Sequence, residues 1–507
     1  MKENANREGF FVRFLNGVER VGNKMCDPLT LFVIIIAIIL GLSCLLGNLG
    51  VSVTSPVDGS QVQVVNLLNG AGIAKMFTNF AANVNNFPPF VLVMTIMFGV
   101  GLCESTGFAE TLLKTSVLKA PPALIVPILL FIAINSNIAG DAGFVLMPIV
   151  CAIVFAAMGK HPIAGMALGY AGVAGGFSAN LLIGTTDALI IGFTQPAANM
   201  IDPNYVANPA MNYYFIAAST LFLIPVGTLI NKYLVEKRLG KYEGEYEEIK
   251  PTTPEERKGL RWAGISFVIL LVALLALILP SGAPLRDPES GSLMSFTAPF
   301  MNGIVPIITL VFFIPSVAYG FGAGVFHNDK DVAKHIGKAM SSMGSYVAFC
   351  IIAAQMIAYF SWSNLGPVVA IAGANFLKNI NLTGAPLLIL FVLLCALVNF
   401  LIASNSAKWA ILAPVFVPMF MLLGYDPALT QICYRIGDSV TNPITPMMAY
   451  FAILVGLAQK YDKKAGMGSL MSALVPYSIG FFVCWSIFLV AWFLLKLPIG
   501  PGYGIFL

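Results

Sequence analysis

Apolar segments of about 20 residues, the length of a membrane-spanning helix, recur from one end of this chain to the other. The 507 residues contain eleven apolar blocks, several of them nearly 40 residues long. The blocks lie at 29–50, 86–108, 121–159, 162–198, 212–235, 262–280, 297–324, 340–377, 385–424, 427–459 and 468–495. Only 10% of the residues are charged, against about 25% in soluble proteins. The chain is therefore predicted to be an all-α polytopic membrane protein.

Several functional classes are excluded by what the chain lacks. Its 28 basic residues are spread over short loops, so no nucleic-acid partner is expected. No segment between the blocks is large enough for a nucleotide-binding domain, and no HExxH or GxSxG motif is present, so an enzyme is not predicted. The eight cysteines form no CxxC pair and are interpreted as packing residues. The polar, basic start of the chain does not resemble a cleaved signal peptide.

Basic residues predict which blocks cross the membrane. Blocks 121–159 and 385–424 carry polar residues in their middles and are predicted to be re-entrant hairpins, which leaves nine transmembrane helices. With residues 1–28 as a cytoplasmic N-terminus, this topology places 22 Lys and Arg residues on the cytoplasmic side, four outside and two within the membrane. Such an asymmetry is typical of membrane proteins. Residues 236–261 then form a cytoplasmic linker between the halves 29–235 and 262–507.

The two halves contain a repeat. Ser136-Asn137 in the first hairpin matches Ser404-Asn405 in the second, and the run 176–180 (GFSAN) matches 437–442 (GDSVTN). A third pair, 159–162 and 424–427, lies between them, and the three offsets are 268, 265 and 261 residues. Because the predicted hairpins enter from opposite sides, the repeat is inverted. Inverted repeats with interrupted helices are typical of secondary transporters, whose binding site lies near the membrane midplane.

Ser and Asn side chains recur at the matched hairpins and interruptions. Hydroxyl, amide and free carbonyl oxygens are suitable ligands for a sodium-like cation, and backbone interrupted at membrane depth is tolerated where it lines a cavity or holds an ion. The alternative is that Ser and Asn join helices by hydrogen bonds. The candidate cation ligands from this pattern are Ser136, Asn137, Asn180, Ser404, Asn405 and Asn442.

Charged residues within apolar blocks are further candidates, since each costs about 2.5–3.5 kcal/mol at a helix centre. Arg435 and Asp438 are spaced i, i+3 and share a helix face. They either form a structural salt bridge, or Asp438 binds a coupling cation while Arg435 binds a substrate carboxylate. Glu104 and Asp141 are weaker candidates.

Asp187 and Lys408 each allow more than one interpretation. The offset of 261 places Met448 opposite Asp187, so this acid is predicted to be unpaired and to carry a proton; it could also be a ligand or a structural residue. Lys408 and Trp409 could provide a cation and an aromatic platform for a ring-bearing substrate. Lys408 could equally extend to water or pair with an acid.

Long strings of the chain resemble the p-aminobenzoyl-glutamate transporter (AbgT) family. The strings are RFLNGVERVGNKMCDPLTLF, GDAGFVLMPIVCAIVFAAMGKHPIAG, GVAGGFSANLLIGTTD, SAKWAILAPVFVPMFMLLG, YRIGDSVTNPITPMM and LPIGPG. The resemblance implies nine transmembrane helices with two opposed hairpins, a homodimer in the bacterial inner membrane, and membership of the wider ion transporter superfamily. It also implies transport coupled to Na⁺ or H⁺, either import of p-aminobenzoyl-glutamate or export of sulfonamide antimetabolites, with no cofactor.

The resemblance also implies roles for individual residues. Those implied in substrate and proton handling are Asp187, Trp409, Arg435, Asp438 and Pro446, and those in the region assigned to sodium are Asn399, Ser404, Asn405 and Asn442. Importing a dianion into a negative-inside cell costs about 4.6 kcal/mol per 100 mV, so at least three cations would have to accompany it for the potential to favour import, whereas efflux of a weakly charged sulfonamide needs one proton. A sodium-coupled dicarboxylate-type symporter of other specificity and a channel remain alternatives.

Overall fold

The computed structural model describes most of the chain from residue 28 onward. The described ranges are 28–54, 59–118, 124–139, 142–240, 242, 244, 252–293, 298–341, 343–402, 404–445, 448–463, 465 and 467–507. The predicted N-terminal segment up to residue 27, part of the linker 236–261, and the candidates Asp141 and Pro446 lie outside these ranges.

The described part of the first half is mostly helical. Its helices are α1 (Pro28–Asn48), α2 (Gly70–Asn85), α3 (Pro88–Ser105), α4 (Phe108–Leu118), α5 (Ile125–Asn135), α6 (Ala142–Ala157), α7 (Pro162–Tyr170), α8 (Thr185–Ala198), α9 (Tyr213–Ile230) and α10 (Glu236–Leu239). Between α1 and α2, strands β1 (Ser52–Thr54) and β2 (Gln61–Gln63) form a short antiparallel pair in which Val53 lies opposite Val62.

The second half is helical as well. Its helices are α11 (Pro254–Ile278), α12 (Pro299–Asn302), α13 (Ile304–Gly322), α14 (Asp329–Ser341), α15 (Gly344–Trp362), α16 (Leu365–Asn379), α17 (Gly384–Asn399), α18 (Asn405–Met421), α19 (Pro427–Thr441), α20 (Ala449–Tyr461) and α21 (Met467–Leu494). Helix α11 begins with a capping box, in which Thr253 accepts the Glu256 N–H and Glu256 accepts the Thr253 N–H, an arrangement that satisfies two otherwise unpaired donors.

Several helices have the length and composition of membrane spans. Among the described residues, five are long and apolar enough by themselves: Leu29–Asn48, Tyr213–Leu239, Pro254–Ile278, Ile304–Gly322 and Gly468–Leu494. The pair α14 and α15, bent by 45°, would make a sixth if it were one span. The remaining apolar helices are shorter and are interrupted. The chain is a helical, multi-pass membrane protein, and the count of nine crossings stays a prediction.

Each block predicted to be a hairpin consists of two helices separated by a break. In the first block, α5 and α6 flank a 3₁₀ turn, Ser136–Ala139. In the second, α17 ends at Asn399 and α18 follows Ser404, whose hydroxyl accepts the Ala407 N–H. The 11 residues of α5 extend about 16 Å at 1.5 Å per residue, whereas the hydrocarbon core is about 30 Å thick. Re-entry from opposite sides stays a prediction.

The blocks that follow the two hairpins are also interrupted, and their interruptions meet. Helix α7 ends in a π turn, Ala171–Gly175, before an irregular segment leads to α8. Helix α19 ends in a 3₁₀ turn, Asn442–Ile444. The Asn442 side-chain amide donates to the Ala174 carbonyl at 3.2 Å. A Cβ on Gly175 would lie 3.1 Å from the Pro443 ring, so this glycine permits the close approach. Helix α8 of the first half packs against α18 of the second.

Candidate functional site

Four charged side chains are buried where α8, α18 and α19 meet. Asp187 on α8, Lys408 on α18, and Arg435 and Asp438 on α19 are each at most 3% exposed. Burying two acids and two bases without partners would cost on the order of 10 kcal/mol. The four residues form two oppositely charged pairs, and each pair joins two different helices.

Arg435 pairs with Asp187 across the two halves of the chain. Its Nη1 lies 2.7 Å from Asp187 Oδ1. The other carboxylate oxygen, Oδ2, accepts the Gly184 backbone N–H at 2.8 Å, because Asp187 occupies the first turn of α8. A carboxylate at a helix N-terminus is also stabilised by the helix dipole. The prediction that Asp187 is unpaired was therefore wrong: its partner is Arg435, not an acid or base at the repeat-related position.

The guanidinium of Arg435 retains unused donors. Its Nε and Nη2 are buried and have no hydrogen-bond partner among the described residues. Guanidinium presents its N–H groups in a planar fork that matches the two oxygens of a carboxylate. Since buried polar groups usually have partners, these donors indicate a place where an anionic group can bind.

Lys408 pairs with Asp438. Its Nζ contacts Asp438 Oδ1 and also donates to the side-chain oxygen of Asn399. The second carboxylate oxygen of Asp438 accepts the Asn405 side-chain N–H at 2.7 Å. Of the two interpretations of Arg435 and Asp438, the salt bridge between them along one helix is not formed, since each residue pairs with a residue of another helix. Of the interpretations of Lys408, pairing with an acid is the one observed.

Asn399 lies at the centre of the second-half cluster, which it forms with Asn405, Lys408, Asp438 and Asn442. Its side-chain N–H groups donate to the Asp438 carbonyl at 2.9 Å, to Thr441 Oγ1 at 2.9 Å and to Asn442 Oδ1 at 2.8 Å. Its oxygen faces Lys408. The pattern of the repeat did not identify Asn399, because it ends α17 before the matched dipeptide; the family resemblance did.

Trp409 is held by interactions within the protein. Its ring stacks on Tyr434 with centroids 4.4 Å apart, and its Nε1 donates to Thr194 Oγ1 at 2.9 Å. Gln431 donates to the same hydroxyl at 2.7 Å, and all four residues are buried. One face of the predicted aromatic platform is thus covered by Tyr434. Sequence reasoning missed Thr194, Gln431 and Tyr434, which carry no spacing signal.

The first-half cluster, defined as Asn137, Ser178 and Asn180, has buried side-chain oxygens without partners among the described residues. Asn137 donates its side-chain N–H groups to the Val173 carbonyl at 2.8 Å and the Ile134 carbonyl at 3.0 Å. Asn137 Oδ1, Ser178 Oγ and Asn180 Oδ1 are buried and have no hydrogen-bond partner among the described residues. The three oxygens belong to the two interrupted segments of the first half, and oxygens of this type are suitable ligands for a hard cation. Ser178 was not among the predicted ligands.

The two predicted hairpin serines have local partners. Ser136 Oγ donates to the Ala133 carbonyl at 2.7 Å, one turn back on α5. Ser404 Oγ caps α18 and also contacts Ser406 Oγ at 3.2 Å. Glu104 lies at the end of α3.

Comparisons with known proteins identify the family of the chain. The model of the family described as the AbgT putative transporter family matches residues 13–507. The chain belongs to the AbgT family. Members of this family are transporters, not enzymes, so the chain has a small-molecule substrate and works in a membrane.

Individual AbgT relatives cover nearly the whole chain. The p-aminobenzoyl-glutamate transport protein of Escherichia coli (strain K12) is 37% identical over 486 residues, 96% of this chain and 95% of the relative. The YdaH transporter of Alcanivorax borkumensis, whose crystal structure has an unusual topology, has a TM-score of 0.90 and 38% identity over 94% of this chain and all of its own. MtrF of Neisseria gonorrhoeae, from a class of antimetabolite efflux pumps, has a TM-score of 0.90 and 40% identity over 97% of this chain and all of its own.

Proposed function

We propose that this AbgT-family protein is a cation-coupled secondary transporter of p-aminobenzoyl-glutamate or a related aromatic anion. The observation that carries the proposal is the buried Arg435–Asp187 pair, whose guanidinium keeps two donors without partners among the described residues. The name of the E. coli relative supplies the substrate, and its glutamate carboxylates are groups that a buried guanidinium binds.

Anion binding at Arg435 is coupled to proton binding at Asp187. A substrate carboxylate competes with Asp187 for the guanidinium, because both are carboxylates. Asp187, once displaced, would be a buried anion without its partner, and breaking a buried pair costs about 3–5 kcal/mol. A proton on the carboxyl removes this cost. The arrangement therefore favours movement of the anion together with a proton.

Sodium is the second coupling ion in this proposal. The unpaired oxygens of Asn137, Ser178 and Asn180 supply ligands in the first half. The second half offers a set with the same ligand chemistry, Asn399, Asn405, Asp438 and Asn442. Two of them, Asn399 and Asp438, already contact Lys408. Ser136 and Ser404 hold the helix ends at the two breaks.

The proposal places the site between two inverted repeats. Nine helices cross the bacterial inner membrane, the N-terminus is cytoplasmic, and hairpins 121–159 and 385–424 enter from opposite sides. The contact between the two interruptions, at Asn442 and Ala174, supports a shared site near the midplane, as in other inverted-repeat transporters. The protein forms a homodimer, as the family resemblance implies.

Export of sulfonamide antimetabolites is the second candidate function. It is favoured by the 40% identity to MtrF, which belongs to a class of antimetabolite efflux pumps. A sulfonamide brings an N–H donor rather than two carboxylates. It would hydrogen-bond to ionised Asp187, so that a sulfonamide and a proton compete for the same carboxylate, and this mutual exclusion corresponds to antiport. The two functions thus predict opposite proton movements at one residue.

Transport by purified protein in proteoliposomes tests the proposal. Labelled p-aminobenzoyl-glutamate is offered with a sodium gradient and a proton gradient imposed separately. Wild-type protein is expected to accumulate it under both. Asp187→Asn is expected to lose at least tenfold of the proton-driven flux and to keep sodium-driven flux. Asp202→Asn, a substitution in the loop after α8, is the matched control and keeps both.

Three outcomes would contradict parts of the proposal. Normal proton-driven flux in Asp187→Asn removes this residue as proton carrier. Uptake of another dicarboxylate with sodium, but not of p-aminobenzoyl-glutamate, indicates a symporter of other specificity. If the substrate never accumulates beyond its equilibrium distribution under any gradient, the protein is a channel.

A further inference from the structure

We propose that the ammonium group of Lys408 occupies the cation position of the second-half cluster, so that a free coupling cation binds only in the first half. This inference rests on the proposed cation-coupled transport and concerns how many ions take part. It starts from the position of one ammonium group, which is fully buried and lies between a carboxylate oxygen and an amide oxygen.

Most oxygens of the second-half cluster that could face a cation are already in use; Asn405 Oδ1 is buried and has no hydrogen-bond partner among the described residues. Asp438 Oδ1 and Asn399 Oδ1 contact the ammonium of Lys408. Asp438 Oδ2 accepts from Asn405, and Asn442 Oδ1 accepts from Asn399. The cluster therefore has the ligand types of a monovalent cation site, with an ammonium in the cation's position.

The orientation of Asn399 follows from its neighbours. Its amide nitrogen is surrounded by three acceptors, namely the Asp438 carbonyl, Thr441 Oγ1 and Asn442 Oδ1. Its oxygen faces an ammonium, which has only donors. Rotating the amide by 180° would place N–H groups against the ammonium and leave three acceptors facing an oxygen. Lys408 is thus part of the hydrogen-bond network that orders the cluster.

The sequence has no lysine at the equivalent position of the first half. With the offset of 268 that relates the hairpin dipeptides, Gly140 corresponds to Lys408, and glycine has no side chain to fill a cation position. Asn137 Oδ1, Ser178 Oγ and Asn180 Oδ1 are buried without hydrogen-bond partners among the described residues. The two repeats therefore differ. In the second, the Lys408 ammonium contacts Asp438 and Asn399, and only Asn405 Oδ1 among the described candidate ligands lacks a partner. In the first, three oxygens lack partners among the described residues and are available to a free cation.

A tethered cation changes the charge moved in each transport cycle. Lys408 returns with the protein, so its charge is not delivered with the substrate. One free sodium ion and one proton on Asp187 together balance a dianion, so a cycle that carries all three moves no net charge. The membrane potential then neither opposes nor drives uptake, because work against the potential is proportional to net charge moved. Concentration gradients alone drive such a cycle.

Binding of ²²Na⁺ to purified, detergent-solubilised protein tests the inference without any transport. Wild-type protein is expected to bind one Na⁺ per chain. Lys408→Met leaves the buried carboxylate of Asp438 without its ammonium, and a free Na⁺ is expected to replace it, which raises the count to two. Lys408→Met combined with Asp438→Asn removes both charges and is the matched control, with an expected count of one. Asn137→Ala with Asn180→Ala is expected to abolish wild-type binding.

The number of Na⁺ ions bound to wild-type protein tests the proposed sodium coupling. The difference in this number between Lys408→Met and wild type tests the role of Lys408. A count of zero that rises to one would contradict sodium coupling and support the inference. Two ions in wild type, or no gain in Lys408→Met protein with a normal size-exclusion profile, would contradict the inference. If Lys408→Met does not fold, Lys408→Gln, whose amide can still donate to Asp438, provides the same comparison, with sodium-dependent thermal stabilisation in membranes as the readout.

Discussion

At the scale of single residues, the site depends on which charges pair. The i, i+3 spacing of Arg435 and Asp438 suggests a bridge along α19, because such residues share a helix face. The observed partners lie on other helices, Asp187 on α8 and Lys408 on α18. Sequence patterns identified all four charges as functional candidates. They could not identify the pairs, since these depend on how helices distant in sequence pack.

Neutralising the Arg435–Asp187 pair tests its energetic role. Asp187→Asn and Arg435→Gln each leave one buried charge unpaired, and each is expected to lower stability by about 3–5 kcal/mol. The double variant removes both charges and is expected to cost clearly less than the sum. Thermal unfolding of the detergent-solubilised protein measures all three. Additive losses would mean that the two residues do not interact.

Asp426, in the loop between α18 and α19, gives a pH-dependent contribution. Burial raises the pKa of its carboxyl from 3.8 to about 6, although it accepts the Ala428 N–H and the Tyr205 hydroxyl. The folded protein therefore binds this proton more readily than the unfolded chain. The resulting stabilisation is complete below pH 3.8 and is lost as the pH rises through about 6.

Asp426→Asn is expected to flatten this pH dependence. Asparagine stays neutral and can still accept both hydrogen bonds. Between pH 7 and pH 5 the wild type is expected to gain about 1 kcal/mol from Asp426, a gain that the variant lacks. Melting temperatures measured across this range give the comparison. An unchanged slope in Asp426→Asn would show that other groups cause the pH dependence.

At the scale of helices, interruptions and close approaches bring the site together. Glycine, proline and the paired Ser-Asn dipeptides predicted where the blocks break, and breaks occur at Ser136 and just before Asn405. The π turn Ala171–Gly175 was not predicted in form, because a π turn has no sequence pattern distinct from that of an α-helix. At Gly437, α19 approaches α17 closely, because a Cβ on this residue would lie 2.4 Å from the Val392 carbonyl oxygen.

Gly437→Ala is expected to separate α19 from α17 and to displace the neighbouring Asp438. Overpacking of this kind costs about 1–3 kcal/mol, and transport is expected to fall at least tenfold. Gly456→Ala on α20 is the control, because a Cβ there would have nothing within 4 Å. Thermal unfolding and proteoliposome flux provide the two measurements. Equal behaviour of the two variants would contradict the packing argument.

At the scale of the whole molecule, much of the architecture could be predicted from the chain. The apolar blocks and family-specific strings predicted a helical multi-pass transporter of the AbgT family, and the family match over residues 13–507 confirms it. The lack of hydrogen-bond partners among the described residues for the oxygens of Asn137, Ser178 and Asn180 could not be predicted, because it depends on the packed structure. Orientation and the number of crossings stay predictions from the distribution of basic residues.

Labelling of single cysteines tests the predicted orientation. In a background without the eight native cysteines, Lys378→Cys is expected to react with a membrane-impermeant maleimide in intact cells. Lys330→Cys, another exposed position, is expected to react only after the membrane is opened. The opposite pattern, or labelling of both in intact cells, would contradict the predicted orientation.

The exchange of partners at Arg435 is tested most directly by counting protons when an anion binds. Purified protein in weakly buffered solution near pH 7 is mixed with p-aminobenzoyl-glutamate, and a pH-sensitive dye reports proton movement. The account predicts uptake of about one proton per bound anion, lost in Asp187→Asn, and no proton uptake when a sulfonamide binds to the ionised carboxylate. Anion binding with no proton movement, or the same uptake in Asp187→Asn, would contradict it.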